Sequence, residues 1–532
     1  MRVTEEKNKR DTIILSCLFL CFLLSSFALN IRYMNRYLTS DMYGDLWVAK
    51  LMWEQKTLFP QNWVFGNQIY ILATPNLAAL FYGVTEDMLL SMGLASSIMV
   101  LVFIGSYYWM LKPFMSLQQI LIGLVALFSC FCTVDICSNQ YAQLYFIGCT
   151  YYSCYAIALL INIGVLARIF SNQKMKGVSV VFAIILSFAM GMQSSRQTLI
   201  MVLPFIFIAI CYLVICRIQH RNANKKMLAF VAATSVFNIA GVLLSKRINV
   251  ERDAIIGGLG FSPFYDISGK IISTARNVIS LAGFDDVISF VQHNTGNAIC
   301  VCLMGIAALA FLIMAVYGGA IWLINVKKHN KSLSLIYGTL LVSCLAVFGA
   351  FMTIDITRLS KYYFIFYILT SVLIASVVNS CKGKRIKPLF SLVALVVLIV
   401  SYILPIAKME SHITVYEEIA AYMEDNNYSI VYSEWDNAGN VAGASDCRIV
   451  AGRWDASDIF TIKAHTNVLD IYSDYDNERA LYLMTDETLR DAEKYFAENE
   501  CEVGFECLAT FLDENGNMKY LYKSGRQLMK EK

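Results

Sequence analysis

The chain has 532 residues, of which 57% are hydrophobic and only 16% are charged, whereas about 25% of the residues of an average soluble domain are charged. Together with a mean hydropathy of +0.55, this composition excludes a soluble cytosolic enzyme and indicates an integral membrane protein. The net charge of +3 says nothing about nucleic acid, but the sequence has no basic stripe with interleaved aromatic residues, so we expect no nucleic-acid partner.

Apolar runs occupy most of the first 407 residues, and each crossing of a bilayer needs about 20 of them. We predict a retained first helix over residues 12–31, because this run is longer than a signal-peptide core and lacks a clean small-residue cleavage site; a cleaved signal peptide is the alternative. Ten further runs follow at residues 88–111, 117–134, 144–166, 178–192, 198–215, 227–245, 298–324, 333–354, 362–378 and 388–406. The sequence therefore predicts about eleven transmembrane helices.

Lysine and arginine cluster in one set of connections between these runs. They are Arg2, Lys7, Lys9, Arg10, Lys112, Arg168, Lys174, Lys176, Arg217, Arg221, Lys225, Lys226, Lys327, Lys328, Lys331, Lys382, Lys384, Arg385 and Lys387. The positive-inside rule makes these ends and the N-terminus cytoplasmic. An odd number of spans in the plasma membrane then places two long loops, at residues 32–87 and 246–297, and the C-terminal segment on the extracytoplasmic face.

The first outer loop carries two carboxylates, Asp41 and Asp45, four residues apart and therefore on one face if the stretch is helical. An acid held at the membrane boundary is partly desolvated and can act as a general base; a solvated or capping loop acid is the alternative. Trp47 and Trp63 follow in the same loop. Their rings can stack on a sugar, although a belt at the membrane interface is the commoner role of a single tryptophan.

Two later turns on the same side contain further candidates. Asp135 and Tyr141 lie in a short polar turn and are candidates for lining the same cavity. Arg196 joins two apolar runs, the first of which is short for a span, so it is expected near the outer membrane boundary. It could hold a phosphate with a bidentate fork or simply anchor a helix end.

A third turn contains Asp355, Arg358 and Lys361. The two cations are three residues apart, so a helical turn would let both reach one phosphate. Asp355 could orient Arg358 or bind a cation. The alternative is an ordinary turn that its charges and interfacial tyrosines anchor.

The composition changes abruptly after Pro405, where the chain becomes polar and acidic. We predict a membrane module over residues 1–407 and a soluble extracytoplasmic α/β domain over residues 408–532. Helices are expected at residues 415–424 and 485–499, and strands at residues 428–432 and 480–484. Asn515-Gly516 predicts a two-residue hairpin turn between residues 508–512 and 518–522.

This organisation resembles the GT-C superfamily of integral membrane glycosyltransferases, with many helices, an acid early in a long first outer loop, and a soluble C-terminal outer domain. Ser40-Asp41, the continuation through Asn62-Trp63, Ser195-Arg196 and Asp355-Ile-Thr-Arg358 are similar to patterns in bacterial GT-C-like proteins. The resemblance implies an α-helical polytopic, GT-C-like protein that transfers a sugar from a polyprenyl phosphate donor to a cell-envelope glycan, lipid or protein, with inversion. It implies Asp41 as the base and Arg196, Arg358 and Lys361 as ligands of the donor phosphate.

The sequence also departs from known subfamilies. Met42 follows Asp41, whereas the protein mannosyltransferases of the superfamily carry an Asp-Glu pair, and the Trp-Trp-Asp motif of oligosaccharyltransferases is absent. The sugar and the acceptor therefore stay open. We expect no obligatory cofactor, while Asp41 and Asp45 leave open a divalent cation, Mg or Mn.

Two other classes of function compete with an enzyme. A lipid or polysaccharide carrier or flippase would show inverted repeats and broken helices near the midplane, and inspection finds no such repeat. No acid falls inside an apolar run, which also disfavours ion-coupled transport. The third possibility is a non-catalytic GT-C-like binding protein.

Overall fold

The structure is a computed structural model. It describes residues 2–37, 39–61, 63–66, 68–138, 142–148, 152–250, 266–293, 297–324, 331–353, 363–380, 386–409, 413–454, 477–498, 504–513 and 516–525.

The described residues form mainly helices. In chain order these are α1 Arg2–Arg32, α2 Ser40–Glu54, α3 Thr74–Thr85, α4 Met88–Leu111, α5 Leu117–Ser129, α6 Ala142–Tyr145, α7 Ser153–Phe170, α8 Gly177–Gln193, α9 Leu203–Ile218, α10 Lys225–Ser245, α11 Ile267–Leu281, α12 Asp285–His293, α13 Ala298–Ile324, α14 Lys331–Thr353, α15 Ile365–Ser380, α16 Ile386–Val397, α17 Leu404–Met409, α18 Val415–Asp425, α19 Trp435–Ala444 and α20 Asp486–Glu498. The strands are β1 Ile430–Glu434, β2 Val450–Trp454, β3 Ala480–Thr485, β4 Phe505–Leu512 and β5 Met518–Ser524.

The chain is a multi-pass membrane protein. Among the described residues, 8 helices are long and apolar enough to cross a bilayer, and three shorter apolar helices accompany them at Leu117–Ser129, Gly177–Gln193 and Ile365–Val378. Each of the eleven predicted runs overlaps one of these helices. The exact number of spans stays a prediction, and the run predicted from residue 144 becomes a continuous helix only at Ser153.

Two compact units divide the chain. We call Met1–Leu29, Ser96–Ile248 and Leu259–Ala407 the helical unit, and Asn30–Ala95, Asn249–Gly258 and Lys408–Lys532 the mixed unit. The loop at residues 32–87, which is predicted to be outer, therefore groups with the C-terminal segment, whereas the sequence predicts it within the membrane module.

Prolines mark two irregular turns in the helical unit. The segments Thr198–Val202 and Leu398–Ile403 are π-helical, and Pro204 and Pro405 follow them. A proline offers no N–H and clashes with the carbonyl four residues earlier. A wider π turn accommodates this loss and allows the helix to continue.

The mixed unit contains a five-stranded sheet of order β2-β1-β3-β5-β4. The strands β1, β2 and β3 are parallel, and β5 runs antiparallel to both β3 and β4. Tyr432 and Tyr482 stack with their ring centroids 5.3 Å apart in its core. This arrangement confirms the predicted small α/β domain.

The hairpin between β4 and β5 differs from its prediction. The Asp513 amide donates to the Asn517 carbonyl at 2.9 Å, and the Gly516 amide donates to the Asp513 carbonyl at 2.9 Å. The last hydrogen-bonded pair, Asp513 and Asn517, is therefore further apart in sequence than a two-residue turn allows. Gly516 has a φ of +81°. A three-residue hairpin typically places glycine in this left-handed conformation, so the asparagine-glycine pair marked the turn but not its length.

Contacts between distant parts of the chain hold the mixed unit together. The Tyr43 hydroxyl accepts a hydrogen bond from the Ala451 amide at 3.3 Å. The Arg36 guanidinium lies 2.7 Å from the Glu417 carboxylate. Helix α2, which carries the predicted acids, is thus packed against the C-terminal segment.

Candidate functional site

Helix α2 carries both predicted acids of the first outer loop. Thr39 has an extended backbone, and its side chain accepts a hydrogen bond from the Met42 amide at 3.4 Å, so the helix starts with an N-cap. Asp41 lies in the first turn and Asp45 one turn later, which is the helical spacing that the sequence required. The side chain of Asp41 lies outside what the structure describes.

Asp45 is fully buried, with 0% of its surface exposed. Its Oδ1 accepts a hydrogen bond from the Tyr70 hydroxyl at 2.6 Å. Tyr70 itself is 5% exposed. A buried carboxylate is costly unless such bonds satisfy it, so this pair fastens α2 to the segment before α3.

Trp47 and Trp63 are also buried, with 7% and 2% of their surface exposed. The ring of Trp47 packs edge-on against Tyr43 at a centroid distance of 6.4 Å, and Lys50 Nζ lies 5.0 Å from its centroid. Both rings therefore have little free face for a sugar, and their burial differs from an exposed interfacial belt.

Arg196 lies in the helical unit between α8 and the π turn before α9. Its guanidinium carbon is 4.9 Å from the ring centroid of Tyr152, and its amide donates to Ser194 Oγ at 3.3 Å. A cation over a ring face keeps its in-plane N–H groups directed away from the ring. Stacking on one side and an anion at the edge are therefore compatible at this arginine.

Asp135 helps to form a local turn, as its Oδ1 accepts a hydrogen bond from the Cys137 amide at 2.9 Å. The nearby Thr133 hydroxyl donates to the Asp135 carbonyl at 3.2 Å and to the Asp286 carboxylate at 3.0 Å. Burial raises the pKa of the neighbouring Asp285 carboxyl, the hydrogen bond from Ser280 lowers it, and the charge of Asp286 raises it. The turn at Asp135 thus belongs to a small acidic region that includes the start of α12.

Four predicted site residues, Tyr141, Asp355, Arg358 and Lys361, lie outside the described residues. Their roles stay predictions. Within the described part of the chain, no three His, Cys, Asp or Glu side chains come together as a potential metal site.

Sequence reasoning did not single out Tyr70, Tyr152 or Asp286 as partners. Each of them contacts its partner only in the folded chain, at a distance along the sequence that no local pattern predicts. The tyrosines just before α7 were the one local feature that could have indicated a partner for Arg196, because tyrosine presents both a ring face and a hydroxyl.

No protein-family model matches the chain, and no curated protein matches it. Among solved structures, the oligosaccharyltransferase of Archaeoglobus fulgidus, in complex with Zn and sulfate, is similar to this chain, with 12% identity and a TM-score of 0.50 over 94% of this chain and 72% of that one. ArnT from Cupriavidus metallidurans, bound to undecaprenyl phosphate, is similar with 9% identity and a TM-score of 0.51 over 98% of this chain and 99% of that one. Both neighbours are GT-C membrane glycosyltransferases. At these identities the likeness concerns the fold, and it confirms the predicted GT-C fold class.

Proposed function

From its GT-C fold, we propose that this protein is a membrane glycosyltransferase that moves a sugar from a polyprenyl phosphate donor to a cell-envelope glycan, lipid or protein. The reaction takes place on the extracytoplasmic face and inverts the anomeric carbon. The observation that carries the proposal is the fold shared over 98% of this chain with ArnT, whose structure holds undecaprenyl phosphate.

Asp41 is the base in this proposal. The acceptor hydroxyl attacks the anomeric carbon, its proton passes to the Asp41 carboxylate, and the bond from that carbon to the phosphate oxygen breaks. Asp45 is less suited to this step, because it is 0% exposed and accepts a hydrogen bond from Tyr70. Asp45 instead positions the helix that carries Asp41.

The lipid phosphate is the leaving group, and it gains negative charge as the sugar departs. Arg196, Arg358 and Lys361 neutralise that charge in this proposal, so the phosphate needs no proton from the enzyme. Tyr152 supports Arg196 from its ring face at 4.9 Å. Since cations already balance the phosphate, we propose that no metal is obligatory; bound Mg or Mn is the alternative.

The decisive experiment measures sugar transfer by full-length purified protein with a panel of polyprenyl phosphate sugars and envelope extract as acceptor. General base catalysis contributes about 10²–10⁴-fold, so Asp41→Asn should lose that much activity and keep donor binding. Asp45→Asn, on the same helix, tests the positioning role and should lose less activity than Asp41→Asn, and EDTA should leave the wild-type rate unchanged.

Equal transfer by wild type and Asp41→Asn would move the base to Asp45 or Asp135. Donor binding without consumption by any variant, including wild type, would contradict the enzyme and favour a carrier or a non-catalytic binding protein.

A further inference from the structure

A groove opens on the side of the helical unit, and none of its lining residues belongs to α2, the helix that carries the predicted acids. Its volume is about 400 Å³, within the range of roughly 300–1,000 Å³ typical of small-molecule sites. We call it the lateral groove; its walls include Val102, Gly105 and Trp109 of α4, Ile161 of α7, and Val178 and Phe182 of α8. These walls are apolar, so the groove suits a hydrocarbon chain.

One wall of the lateral groove is held in place by a buried arginine. The Arg168 guanidinium carbon lies 3.8 Å from the ring centroid of Trp109. The same side chain donates to the carbonyls of Gly164, at 2.8 Å, and of Trp109. Trp109 is therefore fixed by both its ring and its backbone, and the groove has a preformed wall.

The floor of the lateral groove is open at Gly105. A Cβ atom placed on this glycine would meet no other atom within 4 Å. Since Gly105 lines the groove and has free space at the Cβ position, we expect a larger side chain there to occupy the groove. Gly349 on α14 has the same open surroundings and lies outside the lining residues of the groove.

Lysines flank the end of the lateral groove at which α4 ends and α8 begins. Lys112 follows α4, Lys174 and Lys176 precede α8, and all three are exposed. The connections at residues 112–116 and 171–176 contain no aspartate or glutamate. These two connections thus carry only cationic charge, which complements an anionic head group.

We propose that the lateral groove binds one anionic glycerophospholipid of the surrounding bilayer. An acyl chain fills the space between α4, α7 and α8, where burial of each methylene favours binding. The phosphate of the head group lies at Lys112, Lys174 and Lys176. This site is independent of the proposed glycosyltransferase function, because none of its residues takes part in the reaction.

Native mass spectrometry of the delipidated full-length protein tests the proposal. Phosphatidylglycerol should bind as one molecule, about tenfold more tightly than phosphatidylcholine, since each lysine near the head group contributes to the attraction. Gly105→Phe should weaken phosphatidylglycerol binding by about tenfold or more by displacing the chain. Gly349→Phe is the matched control and should bind as wild type does.

A second pair of variants keeps the test decisive if Gly105→Phe fails to fold. Val178→Trp fills the lateral groove from α8, at a residue that is 77% exposed. The combined Lys112→Gln, Lys174→Gln and Lys176→Gln variant should reduce phosphatidylglycerol binding to the level of phosphatidylcholine. Equal binding of both lipids by wild type, equal effects of Gly105→Phe and Gly349→Phe, or displacement of phosphatidylglycerol by undecaprenyl phosphate would overturn the proposal.

Discussion

At the scale of single residues, Arg196 offers the sharpest test of how the donor phosphate is held. A hydrogen bond to a charged group contributes about 1.5–3 kcal/mol, so Arg196→Gln should lower kcat/KM for the polyprenyl phosphate sugar by about 10–100-fold. Arg196→Lys keeps the charge but loses the planar fork, so its kcat/KM should lie between those of wild type and Arg196→Gln. Steady-state kinetics with varied donor concentration measure the effect.

Arg247 provides the control for this prediction. It is exposed and belongs to the same helical unit. Arg247→Gln should leave kcat/KM unchanged, and a loss at Arg247 as large as that at Arg196 would show that the effect is one of overall charge.

Asp446 gives a prediction on pH. Its backbone is left-handed, with a φ of 53°, and its Oδ1 accepts a hydrogen bond from the Leu89 amide at 2.9 Å. Burial raises the pKa of the Asp446 carboxyl and the charge of Asp87 adds to this, whereas the bond from Leu89 lowers it. Because the folded state holds the proton more tightly than the unfolded state, the carboxyl costs stability as pH rises through the raised pKa.

Asp446→Asn keeps an oxygen acceptor for Leu89 and tolerates the left-handed backbone. At pH 7.5 this variant should therefore melt at a higher temperature than wild type in detergent. The difference should vanish below the ordinary pKa of 3.8, where both chains are neutral at this position. Asp446→Ala, which removes the acceptor, is the control; an asparagine variant less stable than wild type at pH 7.5 would contradict the assignment.

The sequence could place these residues but not their partners. The four-residue spacing of Asp41 and Asp45 became a helical turn, and Arg196 lies at the helix junction that its flanking apolar runs indicated. The burial of Asp45 against Tyr70 was not predictable, because it depends on how the loop folds back on α2. The local sequence around an aspartate does not distinguish an exposed carboxylate from a buried one.

At the scale of helices, glycines allow the backbones of α8 and α10 to pack in close contact. A Cβ atom on Gly191 would lie 2.1 Å from the Asn238 carbonyl oxygen, and one on Gly241 would lie 2.2 Å from the Phe188 carbonyl oxygen. Small residues at such crossings let helix backbones pack tightly in a membrane. The Asn238 side chain then donates across the interface to the Ser187 carbonyl at 2.8 Å.

Gly191→Val should therefore separate α8 from α10 and destabilise the protein by about 1–3 kcal/mol, as overpacking does. The thermal unfolding of detergent-purified protein, followed by tryptophan fluorescence, measures this. Gly349→Val, where a Cβ atom meets nothing within 4 Å, should unfold at the wild-type temperature. If the two variants unfold together, the close approach of the helices is not what Gly191 provides.

Elements were predictable where hydrophobicity alone decides them. The run at residues 88–111 became a helix with the same bounds, Met88–Leu111, because an apolar stretch of this length has one way to satisfy its backbone in a bilayer. The hairpin loop and the late start of α7 were not predictable. The register across β4 and β5 and the start of α7 at Ser153 depend on contacts that no local sequence pattern encodes.

At the scale of the whole molecule, the charge distribution predicts that the N-terminus is cytoplasmic and the C-terminal segment extracytoplasmic. Alkaline phosphatase fused after Lys532 should be active, and green fluorescent protein fused there should be dark. Fusions within the lysine-rich connection at residues 327–331 should give the opposite pair of results. Matching signals at both positions would contradict the predicted orientation.

The union of early and late chain segments in the mixed unit has a consequence for biosynthesis. Tyr43 and its partner Ala451 are 408 positions apart, which at about 5–20 residues per second corresponds to roughly 20–80 s of translation. Throughout that interval α2 has emerged from the ribosome without the surface that it packs against. The helix that carries the proposed base therefore completes its packing only after residue 451 has been made, so a chain terminated before that point would lack a finished reaction centre.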